Sequence, residues 1–383
     1  MIAISTDFEA GKIRVVACDR PDDIVVELED DTAASVRQWF FFRLTGAKDC
    51  AVRITFRDID RYNANKGLVG MPTLWDDYNV LGSYDLDHWF PVATEFRDGH
   101  LFATVTPSTD SLYLANFAPY SSERLARFIG TSLMSPRCGL ERLGQSVQNR
   151  AIECLRIGEP GPGRKTCWVI TRQHPAETQG TWCVEGLVER LLDENDASAI
   201  ALLDRAVFYI VPNMNPDGSV MGNTRTNATG RNLNREWPAP SPDEAPEVYW
   251  VRKRMTETGM DFGLDIHAWT GPHNFAIGPY HTPSVTDREA QLWLRYEAAL
   301  AAASSEFETG WPYPGGGPEP GKADQSISWN HFFEAFGAFG VLYELLYKNN
   351  ACNPDPANGW TAGKCKRFGH DTVDAIAAIV DVL

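Results

Sequence analysis

The stretch Cys167-Trp-Val-Ile-Thr-Arg-Gln-His174-Pro-Ala-Glu177-Thr-Gln-Gly-Thr181 constrains the fold more than any other part of the chain. Apolar and β-branched residues over 167–171 predict a short buried strand. The run breaks at Arg172, and a histidine and a carboxylate follow, three positions apart. Pro175 biases His174 away from the helical region, so the pair belongs to a loop at the carboxyl end of a strand. From Trp182 the period turns helical, with Val184, Leu187, Val188, Leu191 and Leu192 on the apolar face. Strand, polar loop, helix is the arrangement in which an open α/β sheet places its ligands.

The same alternation continues through the rest of the chain. Strands are predicted at 154–158, 206–211, 261–267, 274–277 and 340–346, and helices at 182–194, 244–258, 286–305, 328–336 and 371–382. Thr286-Asp-Arg-Glu289 has the form of a capping box. The segment 312–321 (PYPGGGPEPG) is too rich in glycine and proline for either element and predicts a surface loop.

Before residue 119 the texture differs. Short runs of Val, Ile, Phe and Trp at 13–17, 24–28, 38–44, 52–56, 92–96 and 101–106 are separated by turn residues such as Thr45-Gly46 and Asp98-Gly99. No helical period interrupts them. The change comes at Pro119-Tyr-Ser-Ser-Glu123, where Ser121 or Ser122 can cap a helix running through Gly130. The reading is two domains: an antiparallel β-sandwich over 1–118, and an α/β domain over 119–383.

Composition narrows the function classes. Asp and Glu number 51 against 35 Lys and Arg, a net charge of −16, which lacks the basic footprint of a nucleic-acid binder. No apolar run reaches the roughly 18 residues of a membrane span, and the acidic N-terminus has no apolar signal core. Eight cysteines without a C-x-x-C pair predict reduced thiols in a cytoplasmic protein. Neither nucleic acid nor membrane is an expected partner, and the oligomeric state is left open.

Four predicted strands run into polar residues: His174 and Glu177, Asn213-Met-Asn-Pro-Asp-Gly218, His267, and Glu344 inside Val341-Leu-Tyr-Glu-Leu-Leu346. In an open sheet these residues converge in one crevice. His174, Glu177 and His267 then form a His₂Glu set suited to one Zn²⁺ per chain, with a coordination position left for water. Glu344 is placed to accept a proton from that water, since a buried carboxylate without a task costs several kcal/mol, on the order of other buried ions. Between the ligands lie Arg225, Arg231 and Arg235, three cations within eleven positions of an acidic chain. Asn234 and Arg235 suit a carboxylate, and Arg225 suits a polarised carbonyl, a contact worth about 10²–10³ in rate.

His174-Pro-Ala-Glu177, Asn215-Pro-Asp-Gly218, Arg225, Leu233-Asn-Arg235, Asp265-Ile-His267 and Tyr343-Glu344 stand in the order of an M14 zinc carboxypeptidase, which nearly the whole chain resembles. Trp39-Phe-Phe-Phe-Arg43 and Phe117-Ala-Pro-Tyr120 resemble the N-terminal domain of its cytosolic carboxypeptidase subfamily. The resemblance implies zinc at His174, Glu177 and His267, and Glu344 as general base and acid. It implies carbonyl polarisation by Arg225 and binding of a C-terminal carboxylate by Asn234 and Arg235. It further implies a mixed sheet of roughly eight strands flanked by helices, a peptide or protein C-terminal tail as substrate, and release of glutamate.

The chain departs from digestive members of that family in three ways. Asn232 stands where they have an aspartate orienting a zinc histidine; an amide can accept that N–H bond without adding charge, or Asp265 can serve instead. Their mobile tyrosine is replaced by Pro320 in the count back from Ser326, with Tyr313 the alternative. Ile327 occupies the specificity position and offers no salt bridge, unlike Lys322 or Arg231. Two other functions fit the same residues: a zinc amidohydrolase acting on N-acyl amino acids, and a peptide-binding protein with a vestigial site.

Overall fold

The computed structural model describes residues 1–62, 74–279, 282–310 and 318–383. Its N-terminal strands are β1 (Ala3–Ser5), β2 (Arg14–Ala17), β3 (Ile24–Glu27), β4 (Phe41–Thr45), β5 (Val52–Phe56), β6 (Leu81–Ser83), β7 (Trp89–Pro91), β8 (Ala93–Arg97), β9 (His100–Val105) and β10 (Ser111–Ala115). They form two five-stranded sheets, ordered β1-β4-β10-β6-β7 and β2-β3-β5-β9-β8. In β5 the side chains alternate, Val52, Ile54 and Phe56 buried and Arg53 exposed. The Phe56 ring meets Phe40 at 4.6 Å and Phe42 at 6.1 Å, joining the two sheets through one core. The sandwich is antiparallel with one correction: β3 and β5 pair parallel.

The second part carries β11 (Cys138–Gln145), β12 (Ala151–Ile157), β13 (Lys165–Thr171), β14 (Ala206–Val211), β15 (Phe262–Trp269), β16 (Phe275–Ile277) and β17 (Phe339–Leu346). Its helices are α1 (Ser122–Ser132), α2 (Gln179–Leu191), α3 (Ala197–Leu203), α4 (Pro216–Met221), α5 (Pro246–Thr258), α6 (Asp287–Ala303), α7 (Ser328–Phe336) and α8 (Ala362–Ala377). The sheet order is β11-β12-β14-β13-β15-β17-β16, seven strands among the described residues rather than eight. Its centre, β14-β13-β15-β17, is parallel, and the outer strands are antiparallel. Both faces are covered, so the central strands are buried along most of their length. Cys167 and Val169 pack with Trp182, Leu187, Cys365 and Phe368 of α2 and α8. Trp168 and Ile170 point the other way, to Val248, Val251 and Met255 of α5 and Phe332 of α7.

Ser121 caps α1 through the Arg124 N–H, and the capping box at Thr286 and Glu289 is formed. The eight cysteines are free thiols, with 154, 167, 183 and 365 buried. The helix expected at 371–382 begins earlier: Thr361 caps α8, Cys365 and Phe368 supply its first buried turn, and 380–382 is a separate 3₁₀ turn. The polar stretch Asn213–Gly218 contains the start of α4, with Asn215 as cap and Pro216 in the first turn. Tyr313 and most of the glycine-rich loop lie outside the described residues. Among the described residues no helix is long and apolar enough to cross a membrane.

Candidate metal centre

The parallel strands β13, β15 and β17 end on one edge, and the polar residues leave the sheet there. β13 hands the chain to the loop 172–178 before α2. His267 lies on β15 directly beside Glu344 on β17. His174, Glu177 and His267 are buried, and one ligand atom from each falls within 4.8 Å of the others. His174 Nδ1 lies 2.8 Å from one Glu177 oxygen, and His267 Nδ1 lies 2.7 Å from the other. The two Nδ1 atoms stand 3.1 Å apart.

The far side of each ring explains why Nδ1 faces inward. His174 Nε2 meets Asn232 Oδ1 at 3.0 Å, and His267 Nε2 meets Asp265 Oδ2 at 2.8 Å. Each Nε2 therefore donates outward, leaving an Nδ1 lone pair for the centre. Asn232 and Asp265 thus serve different rings. Asp265 is itself buried and fixed by Gln173 Nε2 at 2.6 Å and by a short bond from the Ser328 hydroxyl. Gln173 is held in turn by the Trp237 indole N–H at 2.8 Å.

These contacts set the electrostatics. Burial and the Arg225 charge push His174 down to about 4, which favours the neutral ring. Burial would lower His267 too, but Asp265 and Glu177 lift it well above its ordinary value. Burial opposes ionisation of Glu177, yet His174 and His267 hold its carboxyl well below the usual range. Burial pushes the Glu344 carboxyl up to about 8, against the pull of His267 and with the push of Glu177. One Glu344 oxygen, Oε2, has no hydrogen-bond partner.

The donor set fits a divalent cation. Two imidazole lone pairs and a bridging carboxylate converge on one point, and a single proton can serve only one of the nitrogens. Two neutral nitrogens and one carboxylate are the ligand types zinc takes, with a position left open.

Arg225 lies close enough to shift both His174 and Glu344, and no hydrogen bond or ion pair holds its guanidinium among the described residues. Asn234 is buried, its Oδ1 accepting the Ser328 N–H at 2.9 Å and its Nδ2 lying 3.1 Å from His267 Nε2. Arg235 is half-exposed, with Asp324 at 3.8 Å. Arg231 turns away to Glu244 and Glu236. Ile327 is buried immediately before α7.

Sequence reasoning missed Gln173 and Ser328 as supports for Asp265. Gln173 carried one signal, its adjacency to His174; Ser328 carried none, standing 63 positions from Asp265.

Comparison with known proteins follows the same division of the chain. A model of the cytosolic carboxypeptidase N-terminal domain matches residues 4–117, and a model of the zinc carboxypeptidase family matches 132–317. A metallo-carboxypeptidase from Burkholderia cenocepacia is 37% identical, with a TM-score of 0.92 over 100% of this chain and 99% of that one. A metallo-carboxypeptidase from Pseudomonas aeruginosa, in complex with (2-guanidinoethylmercapto)succinic acid, is 35% identical, with a TM-score of 0.92 over 99% of each chain. Cytosolic carboxypeptidase 2 of Xenopus tropicalis is 27% identical over 266 residues, which is 62% of this chain but 27% of that longer protein.

Proposed function

This chain belongs to the zinc carboxypeptidase family, and on that premise we propose that it hydrolyses the C-terminal peptide bond of a peptide or protein tail with one zinc ion per chain. The observation that carries the reading is the meeting of two inward-facing imidazoles and a carboxylate with Glu344 on the adjacent strand. The proposed ligands are His174, Glu177 and His267. Zinc bound there supplies Lewis acidity and lowers the pKa of water to about 7.

The remaining work falls to the chain's own groups. Glu344, with one oxygen unpartnered, takes the proton of the attacking water and passes it to the leaving amine. Arg225 donates to the carbonyl oxygen as charge develops on it. Arg235 holds the terminal carboxylate, helped by an N–H of the Asn234 amide. The Pseudomonas aeruginosa relative takes a substituted succinic acid, and the arginines here are cations of the kind such carboxylates need. Residues 1–118 and 119–383 are the proposed domains, supported by the family match ending at 117 and by the cap of α1 at Ser121.

Glu344→Gln keeps the shape of the site and removes its base. It is expected to retain zinc and lose turnover by orders of magnitude; an active Glu344→Gln enzyme sinks the assignment. Release of glutamate is the narrower form of the proposal. A series of N-blocked dipeptides differing in the last residue tests it, and fastest cleavage of an apolar residue, as buried Ile327 favours, removes it.

A further inference from the structure

The loop that carries Arg225 is gripped by the N-terminal domain. Asp31, buried at 3% exposure, accepts three consecutive main-chain N–H groups. Its Oδ1 takes Thr224 at 2.5 Å, and its Oδ2 takes Arg225 at 2.8 Å and Thr226 at 2.9 Å. The Thr226 hydroxyl adds a fourth bond at 2.9 Å. Successive amides converging on one carboxylate form an anion nest, and charge-assisted bonds are roughly twice as strong as neutral ones. Asp31 is itself set by its N–H to Val36 O at 2.9 Å.

Its neighbours close the grip. Thr224 Oγ1 accepts the Gln38 and Trp39 N–H groups at 2.9 and 3.1 Å. Asn223 Oδ1 accepts the Thr32 N–H at 3.0 Å and Lys12 Nζ at 3.2 Å. Two glycines in left-handed conformation let the domains approach. A Cβ on Gly222 would stand 2.7 Å from Ala10 O, and one on Gly230 would stand 2.5 Å from Ala33 O. The loop also touches the metal loop, where the Ala176 N–H, between His174 and Glu177, donates to Thr224 O at 3.2 Å.

We propose that Asp31 is the positioning residue for Arg225: it fixes the main chain from which the guanidinium is aimed, and so makes the N-terminal domain part of the hydrolytic apparatus. The inference rests on the reading of Arg225 as the carbonyl donor. A donor displaced by about 1 Å can cost about 10²-fold, while a carboxylate anchor elsewhere leaves substrate affinity alone. The effect therefore belongs in kcat and not in KM.

The test uses the full zinc-loaded chain and an N-blocked dipeptide taken from the C-terminal-residue series. In Asp31→Asn one oxygen acceptor is replaced by an amide that faces N–H donors. The expected result is a kcat lower by about 10- to 100-fold, with KM and zinc content unchanged. Arg225→Ala is expected to be as slow or slower, and the Asp31→Asn/Arg225→Ala double variant no slower than Arg225→Ala alone. A fully active Arg225→Ala enzyme removes the reading of Arg225 and the inference with it. A slow Arg225→Ala enzyme alongside an unimpaired Asp31→Asn, or a double variant slower by the product of the two losses, overturns the inference alone. An Asp31→Asn chain that loses zinc or melts earlier assigns Asp31 to folding instead.

Discussion

The loop 172–178 and the loop 222–235 meet at one edge of one sheet, yet they are held by opposite means. The first is anchored mainly from nearby in sequence. β13 leads in and α2 leads out, Glu177 donates its N–H to His174 O at 3.2 Å, and the Arg172 guanidinium folds back onto Pro175 O at 2.7 and 3.1 Å. The second has no strand and only a short 3₁₀ turn at Leu233–Arg235. Its conformation comes from Asp31, Gln38 and Trp39, residues some 190 positions earlier. Two of the three proposed ligands, His174 and Glu177, thus come from one local stretch, while the loop that carries Arg225 depends on a second domain.

Three perturbations break or sharpen that contrast. The largest is at the local loop. Glu177→Gln keeps the side-chain volume and removes the carboxylate shared by both histidines, so zinc content by elemental analysis should collapse and hydrolysis fall to background. Full zinc content in that variant would place the metal elsewhere.

Asp265→Asn acts one layer out. It leaves the three ligands but weakens the hold on His267 Nε2, and loss of such an outer contact typically costs 10–100-fold in metal affinity. Competition with a chromophoric chelator measures it. An unchanged affinity would mean that a neutral amide oxygen at position 265 holds His267 Nε2 as well as the carboxylate does.

The smallest effect on hydrolysis lies under the arginine loop, where Asn227 Nδ2 donates to buried Glu247 at 3.2 Å. Burial pushes the Glu247 carboxyl up to about 7 from 4.5. The folded chain therefore keeps a proton that the unfolded chain has released. This contribution to stability is complete below pH 4.5, and it is lost as pH rises through about 7. Glu247→Gln removes the dependence and should stabilise the protein by up to about 3 kcal/mol at pH 8, with no gain at pH 4. Urea unfolding at the two pH values reads it; equal shifts at both would show that Glu247 ionises freely in the fold.

Legibility in the sequence followed the same division. β14 was expected over 206–211 and α7 over 328–336, and both run as expected, because unbroken apolar or periodic runs with clear stops leave little choice. β11, with Cys-Gly-Leu-Glu-Arg-Leu-Gly-Gln, was missed, since its polar residues sit on an outer strand that no pattern of two or 3.6 describes. β1, β6 and β7 are three residues long and leave no period at all. α8 was placed about nine residues late because Val373, Ile376 and Ile379 outweighed the cap at Thr361. At the site, His174 and Glu177 announced themselves by spacing, and His267 and Glu344 by polarity at or near the ends of apolar strands. The parallel register that sets His267 against Glu344 turned those four signals into one place.

The sequence alone determined the identity of the groups: two imidazoles and two carboxylates within or just after apolar strands, and a cluster of arginines between them. The tertiary structure decided which groups share a neighbour. It gave Asn232 to one ring and Asp265 to the other, turned Arg231 outward, and closed Asp31 onto the backbone of Arg225. The physical reason is range. Hydrophobic period and capping act over a few residues and are visible in a line of text, whereas hydrogen bonds between residues nearly two hundred positions apart exist only after packing has brought distant segments together.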